Sequence, residues 1–372
     1  MSVYDDALAS FNMNEETGGR VMREFTFRKY VETIPKDIEC LLAADIGGTN
    51  SNFGIFQQKN SQLNMLFSLH TKSQTVKNFT DVVRDVLEQV QKEYNIILKY
   101  CCFAAAGVPS EDRMYCKPTN LDFVIDAQDI MKNTDLECAF IVNDFLVIGY
   151  GLSSIDEKDL IKVNQGNVRF KANKAILGAG TGLGKSILYW SDEYNRYIPL
   201  PSEGGHADFV VQNHIEYDLM AFIRKNEGQE CNVSWEDVLS GDGIRRLYTF
   251  FRSCNSDDIK SLGNGPHPDE IFNACNEDEH CKKTYELYKK LYARCAKNFA
   301  LDALALGGIY IAGGIAAHNV QMFREKGFME EFINCGKQQE LLKTVPIFIV
   351  ADYNVSLYGA AQYLVMDNMC DK

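Results

Sequence analysis

The sequence contains no apolar run of the roughly 18 residues that a membrane-spanning helix needs, and no excess of positive charge. Its 372 residues carry a formal net charge of −13. The first lack leaves no membrane partner to expect. The second disfavours nucleic acid and anionic lipid, whose phosphates call for Lys and Arg, while still allowing a local basic pocket for nucleotide phosphates. The opening residues MSVYDDALASFNMNEETGGR have neither the basic start nor the apolar stretch of a secretory signal, and the closing NMCDK matches no common address, so a cytoplasmic location is expected. Twelve cysteines are present, but none forms a CxxC pair, which reads as reduced thiols and not a disulfide framework.

Several nucleotide signatures are missing too. No Walker loop GxxxxGK[ST] occurs, no HRD or DFG set of a protein kinase occurs, and Gly178-Ala179-Gly180-Thr181-Gly182-Leu183-Gly184 departs from the dinucleotide pattern GxGxxG. A Rossmann dehydrogenase is therefore a poor fit.

What remains is the composition of an ordinary globular protein, 46% hydrophobic and 24% charged. The length exceeds what one hydrophobic core usually organises, so two domains are expected, with a cleft between them as the natural ligand site. LLAADIGGTN, SNFGIF and LNMLFSLHTK read as three successive strands separated by turn residues. FTDVVRDVLEQVQKEY then places Phe79, Val82, Val83, Val86, Leu87 and Val90 at helical spacing, and CCFAAAGVP returns to a buried strand. AQDIMKNT, AFIVNDF and KAILGAGTGLG repeat the mixed order, and HIEYDLMAFIRKN and KKTYELYKKLYARCAKNFALDALAL make the second half more helical. The class is α/β, with mixed sheets flanked by helices. The expected division is an N-terminal extension over residues 1–40, with an amphipathic helix around Arg20 to Val31; a small domain of residues 41–145 plus 356–372; and a large domain of residues 146–355.

One theme recurs: an apolar strand followed by a glycine turn, at LLAADIGGT, KAILGAGTG and GGIYIAGGI. Glycine lets backbone N–H groups approach a phosphate without Cβ interference, although a single such turn is as easily structural. Asp45, Gly47, Gly48, Thr49 and Asn50 add a carboxylate and polar side chains that suit Mg²⁺-bound water and a γ-phosphate. Gly180, Thr181 and Gly182 form a second phosphate-sized loop, and Gly313 and Gly314 a third turn.

These segments resemble those of the bacterial-type glucokinases, within the sugar kinase, actin and heat-shock ATPase superfold. AADIGGTNSNFGIF and AILGAGTGLGKSIL look like the family's two phosphate segments, and IYIAGGIAAHN is similar to its adenosine-side segment. IVNDFLVIGYGL, PLPSEGGHADF and VSWEDVLSGDGI are more diagnostic of a sugar, and together the pieces cover Leu41 to Tyr363 in family order. The zinc motif CxCGxxGC of the related kinases and repressors is lacking. The resemblance implies a two-domain actin-like ATPase (ribonuclease H-like) fold, ATP and Mg²⁺, glucose as acceptor at its 6-hydroxyl, a place in glycolysis, and a homodimer.

Phosphorylating an alcohol requires a base near its hydroxyl. Asp144 is the candidate, with Asn143 beside it to hydrogen-bond the sugar; the same dipeptide also suits a helix cap. Glu203 and His206 can pair with vicinal hydroxyls, and Glu236 aligns with a second sugar-binding glutamate, while equally fitting a first-turn helix acid after Ser234. Asn120 joins the sugar set by a looser resemblance, and Asp45 is assigned to Mg²⁺ through water. Lys185 either assists the phosphates or faces solvent.

Competing readings are a broader hexose kinase, a glucokinase using another donor, a non-catalytic sugar sensor, and a bare ATPase. The sensor predicts a basic DNA-binding end, yet residues 1–40 hold eight acidic against five basic residues. The bare ATPase leaves the sugar residues unexplained.

Overall fold

A computed structural model describes residues 9–10, 23–60, 62–119, 121–155, 157–227, 232–253 and 265–366. The chain divides into two compact units, one of residues 1–155 and 354–372, the other of residues 156–353.

The first unit contains, in order, β1 (Ala9–Ser10), β2 (Thr26–Lys29), β3 (Glu39–Ile46), β4 (Asn50–Lys59), β5 (Gln62–Lys72), α1 (Phe79–Tyr94), β6 (Ile97–Ala105), β7 (Tyr115–Cys116), β8 (Ile125–Asp126), α2 (Ala127–Lys132), β9 (Cys138–Asn143) and α3 (Asp144–Gly151), and it also takes the C-terminal helix Val355–Met366. Its main sheet runs β1-β2-β5-β4-β3-β6-β9. The strands β3, β4 and β5 form the expected antiparallel meander, whereas β3, β6 and β9 are parallel. Strand β3 is apolar almost throughout because both faces are covered. One face meets α1, whose Phe79, Val82, Val83, Val86 and Val90 pack with Phe53 and Phe103. The other meets the C-terminal helix, where Tyr363 and Leu364 join Ala43, Phe56 and Cys102. Helix α1 starts where the Asn78 side chain accepts the Thr80 N–H and stops at Asn95, which is left-handed with φ 53°.

The fold departs from three expectations. The segment read as an amphipathic helix around Arg20 to Val31 holds strand β2, and its residues 20–22 lie outside the described ones. The physical reason is a period of two: Phe25 and Phe27 are buried while Thr26 and Arg28 point away, and the Phe27 ring lies 5.3 Å from that of Phe67. Residues 23–40 are thus part of the unit's core and sheet and not a peripheral extension. The boundary expected at residue 145 falls at residue 155, because α3 packs with the C-terminal helix of the first unit.

The second unit contains β10 (Leu160–Lys162), β11 (Lys174–Ala179), β12 (Leu183–Ser191), β13 (Arg196–Ser202), α4 (His214–Glu227), α5 (Trp235–Leu239), α6 (Gly241–Ser253), α7 (Pro268–Asn273), α8 (Glu279–Asp302), β14 (Ile309–Ala312), α9 (Gly314–His318), α10 (Val320–Arg324), α11 (Lys326–Ile333), α12 (Gln339–Thr344) and β15 (Ile347–Val350). The sheet order is β10-β15-β14-β11-β12-β13, with β15, β14 and β11 parallel. The long helix α8 supplies the core's centre through Tyr288, Leu291, Tyr292, Cys295 and Phe299. Its buried Arg294 is held by Glu216 at 2.7 Å and Glu331 at 2.8 Å, so a charge forced into the interior keeps its partners.

If β2 is core, Phe27→Ala lowers stability by about 3 kcal/mol, the usual cost of emptying a buried phenyl site. Chemical denaturation checks this, and a loss under about 0.5 kcal/mol, as at an exposed position, would restore the peripheral reading.

Candidate active site

In open α/β sheets, ligands bind outside the carboxyl ends of parallel strands. In the first unit the register pairs Ile46 with Ala105 and Ala105 with Asn143, so β3, β6 and β9 end side by side. The Asp45–Asn50 turn, the loop at Gly107 and the start of α3 follow those ends directly.

The first turn is tied by its own backbone. The Gly47 N–H donates to Asn50 O at 3.0 Å, and Ser73 closes the other side, its N–H on Thr49 O at 2.9 Å and its Oγ on Gly47 O at 2.6 Å. Thr49 and Asn50 are exposed, and Gly47 and Gly48 partly so. Asp45 is half-buried and accepts the Ser356 hydroxyl at 2.6 Å. Burial raises its carboxyl above the usual aspartate range, with the Ser356 hydrogen bond pulling the other way.

Asn143 provides the helix cap. Its Oδ1 accepts the N–H groups of Phe145 and Leu146 at 3.0 and 3.1 Å, while its Nδ2 donates to Gly107 O at 3.1 Å. Most of its hydrogen-bonding capacity is therefore spent within the protein. Asp144 is the first residue of α3, half-buried, with Oδ1 3.0 Å from the Phe145 N–H. The Cys116 thiol nearby is pushed up to about 11 by burial and then by the charge of Asp144. Asn120 lies outside the described residues.

In the second unit, β11 and β14 pair in parallel to Gly178 and Ala312, which brings the second and third glycine turns together. Gly313 has φ +94°, and a Cβ there would lie 2.7 Å from Ala179 O. Gly180 donates to Gly182 O and its own carbonyl accepts the Gly241 N–H, both at 2.9 Å; Thr181 is exposed.

Beside this loop sits the sugar candidate set. Gly205 packs so closely on β12 that a Cβ would stand 1.8 Å from Leu183 O, and that contact fixes the turn carrying Glu203 and His206. The exposed His206 ring lies between two carboxylates, 3.8 Å from Glu203 Oε2 and 3.9 Å from Glu236 Oε1. Glu236 is held on α5, whose start is a capping box of Ser234 and Asp237. The capping acid is therefore Asp237, and Glu236 is left to turn elsewhere: its Oε2 accepts the Leu183 N–H at 2.8 Å.

Lys185 does not face solvent. It is buried, with Nζ 5.3 Å over the Phe299 ring, and it partly offsets the burial that pushes the Cys295 thiol up to about 11. Sequence reasoning also missed three supports. Gly107 follows the strand in CCFAAAGVP, and the strand-then-glycine theme could have found it. Ser73 and Ser356 carry no local signal; Ser356 is 311 residues from the Asp45 it contacts. Among the described residues, no group of three or more His, Cys, Asp or Glu could hold a metal ion, and no helix is long and apolar enough to cross a membrane.

A family model described as Glucokinase matches residues 42–367. The chain is 33% identical to the glucokinase of Nostoc punctiforme, over 86% of this chain and 97% of that protein. It is 28% identical to the glucokinase of Hahella chejuensis, over 87% of this chain and 96% of that protein. The solved glucokinase of an Antarctic psychrotroph is similar at 26% identity with a TM-score of 0.71, covering 87% of this chain and 98% of that one. A likeness of fold extends to the glucokinase of Balamuthia mandrillaris solved in complex with glucose, at 22% identity and a TM-score of 0.75, covering 87% and 92%.

Because the folded state raises the Asp45 carboxyl, it binds that proton more tightly than the unfolded chain does. The ionised carboxylate thus costs stability, nothing below the unfolded value of about 4 and increasingly as pH rises through the raised folded value. Asp45→Asn, which keeps an oxygen for Ser356, is expected to raise the thermal midpoint at pH 7, with a smaller gap at pH 4. Equal midpoints at pH 7 would contradict this.

Proposed function

Because the chain belongs to the glucokinase family, we propose that its transfer of the γ-phosphoryl group of ATP to glucose runs through the residues described above. The observation that carries this reading is the grouping of Glu203, His206 and Glu236 around one exposed imidazole beside a glycine loop. Three adjacent hydrogen-bonding side chains of mixed donor and acceptor character suit the vicinal hydroxyls of a hexose. Bare ATP hydrolysis has no use for them.

Asp144 accepts the proton of the 6-hydroxyl as the new P–O bond forms, and the leaving oxygen is that of ADP. Strand β9 runs directly into α3 at Asp144, so the strand end and the Asn143 cap fix the backbone that carries this carboxylate. Asn143 acts mainly by fixing this geometry, with its remaining N–H available to the sugar. In the second unit the Gly180–Gly182 loop offers backbone N–H groups to the phosphates and the Gly313–Gly314 turn borders the nucleotide, and in the first unit the Asp45–Asn50 turn offers N–H groups of the same kind. Asn120 is assigned to the sugar on the resemblance alone.

Asp45 is a single carboxylate without a second acid beside it in a metal cluster among the described residues. It therefore fits a Mg²⁺ ion held chiefly by phosphates and water, which would supply charge neutralisation on the transferring group. A cation also favours the ionised form of a carboxyl that burial raises. A cytoplasmic role in glycolysis and a homodimer belong to the same proposal and rest on the family alone.

The decisive measurement is glucose-dependent release of ADP from ATP and Mg²⁺. Asp144→Asn is expected to lower kcat by about 10²- to 10⁴-fold, the usual contribution of a general base, with glucose still bound. No glucose-dependent turnover in the unaltered chain would favour a sugar-sensing role; full turnover in the variant would remove Asp144 as the base.

A further inference from the structure

The carboxylate of Glu236 is shared between two neighbours. Its Oε1 faces His206 at 3.9 Å, on the side assigned to glucose, while Oε2 accepts the Leu183 N–H at 2.8 Å, at the end of the glycine loop assigned to ATP. The loop is shaped around that oxygen: a Cβ on Gly182 would stand 2.5 Å from Glu236 Oε2. The next helix, α6, is fastened to the same loop at its start, because the Gly241 N–H donates to Gly180 O at 2.9 Å. Behind it, the buried Tyr288 hydroxyl donates to Leu239 O at 2.9 Å, so α5 is anchored to α8. Glu236 on α5 and Gly241 at the start of α6 thus hold the loop at two points, with α5 anchored to α8 behind them.

We infer that Glu236 is a positioning residue for the donor loop as well as a sugar contact, and that through it glucose and nucleotide affect one another's affinity. This rests on the reading of Glu203, His206 and Glu236 as the glucose site. A carboxylate that hydrogen-bonds a backbone N–H gives a charge-assisted bond, stronger than a neutral one. Moving the carboxylate from the sugar side therefore disturbs the loop, and moving the loop disturbs the sugar side. Thermodynamic linkage makes the effect on binding equal in both directions.

The test uses binding without turnover. Glucose is titrated into the nucleotide-free protein by calorimetry, and ADP into the glucose-free protein. Gly182→Ala, a change on the phosphate side, pushes the carboxylate aside and is expected to weaken glucose roughly tenfold, the cost of about one charge-assisted bond. In a Glu236→Ala background the same change is expected to alter glucose affinity by less than about twofold, since the couple is already broken. Glu236→Ala is expected to weaken ADP roughly fivefold, whereas Glu236→Gln, which keeps an oxygen for Leu183, leaves it within about twofold. Unchanged glucose affinity in Gly182→Ala overturns the inference, as does equal ADP affinity in all three Glu236 forms. Gly182→Ala keeps the glutamate, so it carries the test if Glu236→Ala fails to fold. Should the unaltered chain bind no glucose, the reading of the sugar site falls, and the ADP comparison alone decides the inference.

Discussion

In-register parallel pairing is the constraint on which the site depends. Parallel strands draw level only if their hydrogen-bond ladders keep step, and here Ile46, Ala105 and Asn143 lie in one row across β3, β6 and β9. That row delivers Asp45, the Gly107 carbonyl and Asp144 to one edge of the sheet, although they come from three separate stretches of chain. The second unit uses the same device with β11 and β14, where Gly178 faces Ala312 and two glycine turns meet. A slip of one residue in either ladder would turn each side chain to the opposite face.

Upon that frame, hydrogen bonds from remote residues decide orientation. Asn143 spends its amide on capping α3 and on Gly107, so the adjacent aspartate is set by backbone geometry. Ser356 reaches Asp45 from the C-terminal helix. Ser73 ties down the first turn from the far end of the meander. These contacts place polar groups where a folded core alone would not want them. The raised carboxyl of Asp45 records that tension, since burial disfavours its ionised form while the Ser356 hydroxyl favours it.

Glu236 and Lys185 illustrate how two charged residues of similar sequence prominence part ways. Both lie near the second glycine loop, but β12 directs Lys185 into the core against Phe299. Glu236 instead sits at the start of a helix whose capping is done by its neighbour Asp237, which leaves its carboxylate to bridge Leu183 and the exposed His206. Neither outcome is written in spacing. The first follows from strand alternation within a sheet covered by α8, the second from the division of labour inside a capping box.

By itself the sequence determined the meander, the helix at Phe79–Tyr94, the glycine turns and, through motifs such as SEGGHADF and SWEDVLSGDG, the family resemblance, because periodicity and turn chemistry are local and a motif names its own residues. It misjudged Arg20–Val31, where a strand is defined by its partner β5 and by rings arriving from elsewhere. Only the tertiary structure decided that Asn143 caps while Asp144 leads the helix, that α3 packs with the first unit, that Ser356 supports Asp45, and that Glu236 accepts the Leu183 N–H beside the second glycine loop. The physical reason is range: propensity and capping act over a few residues, whereas burial and hydrogen bonds between distant segments exist only once the sheets have set their register.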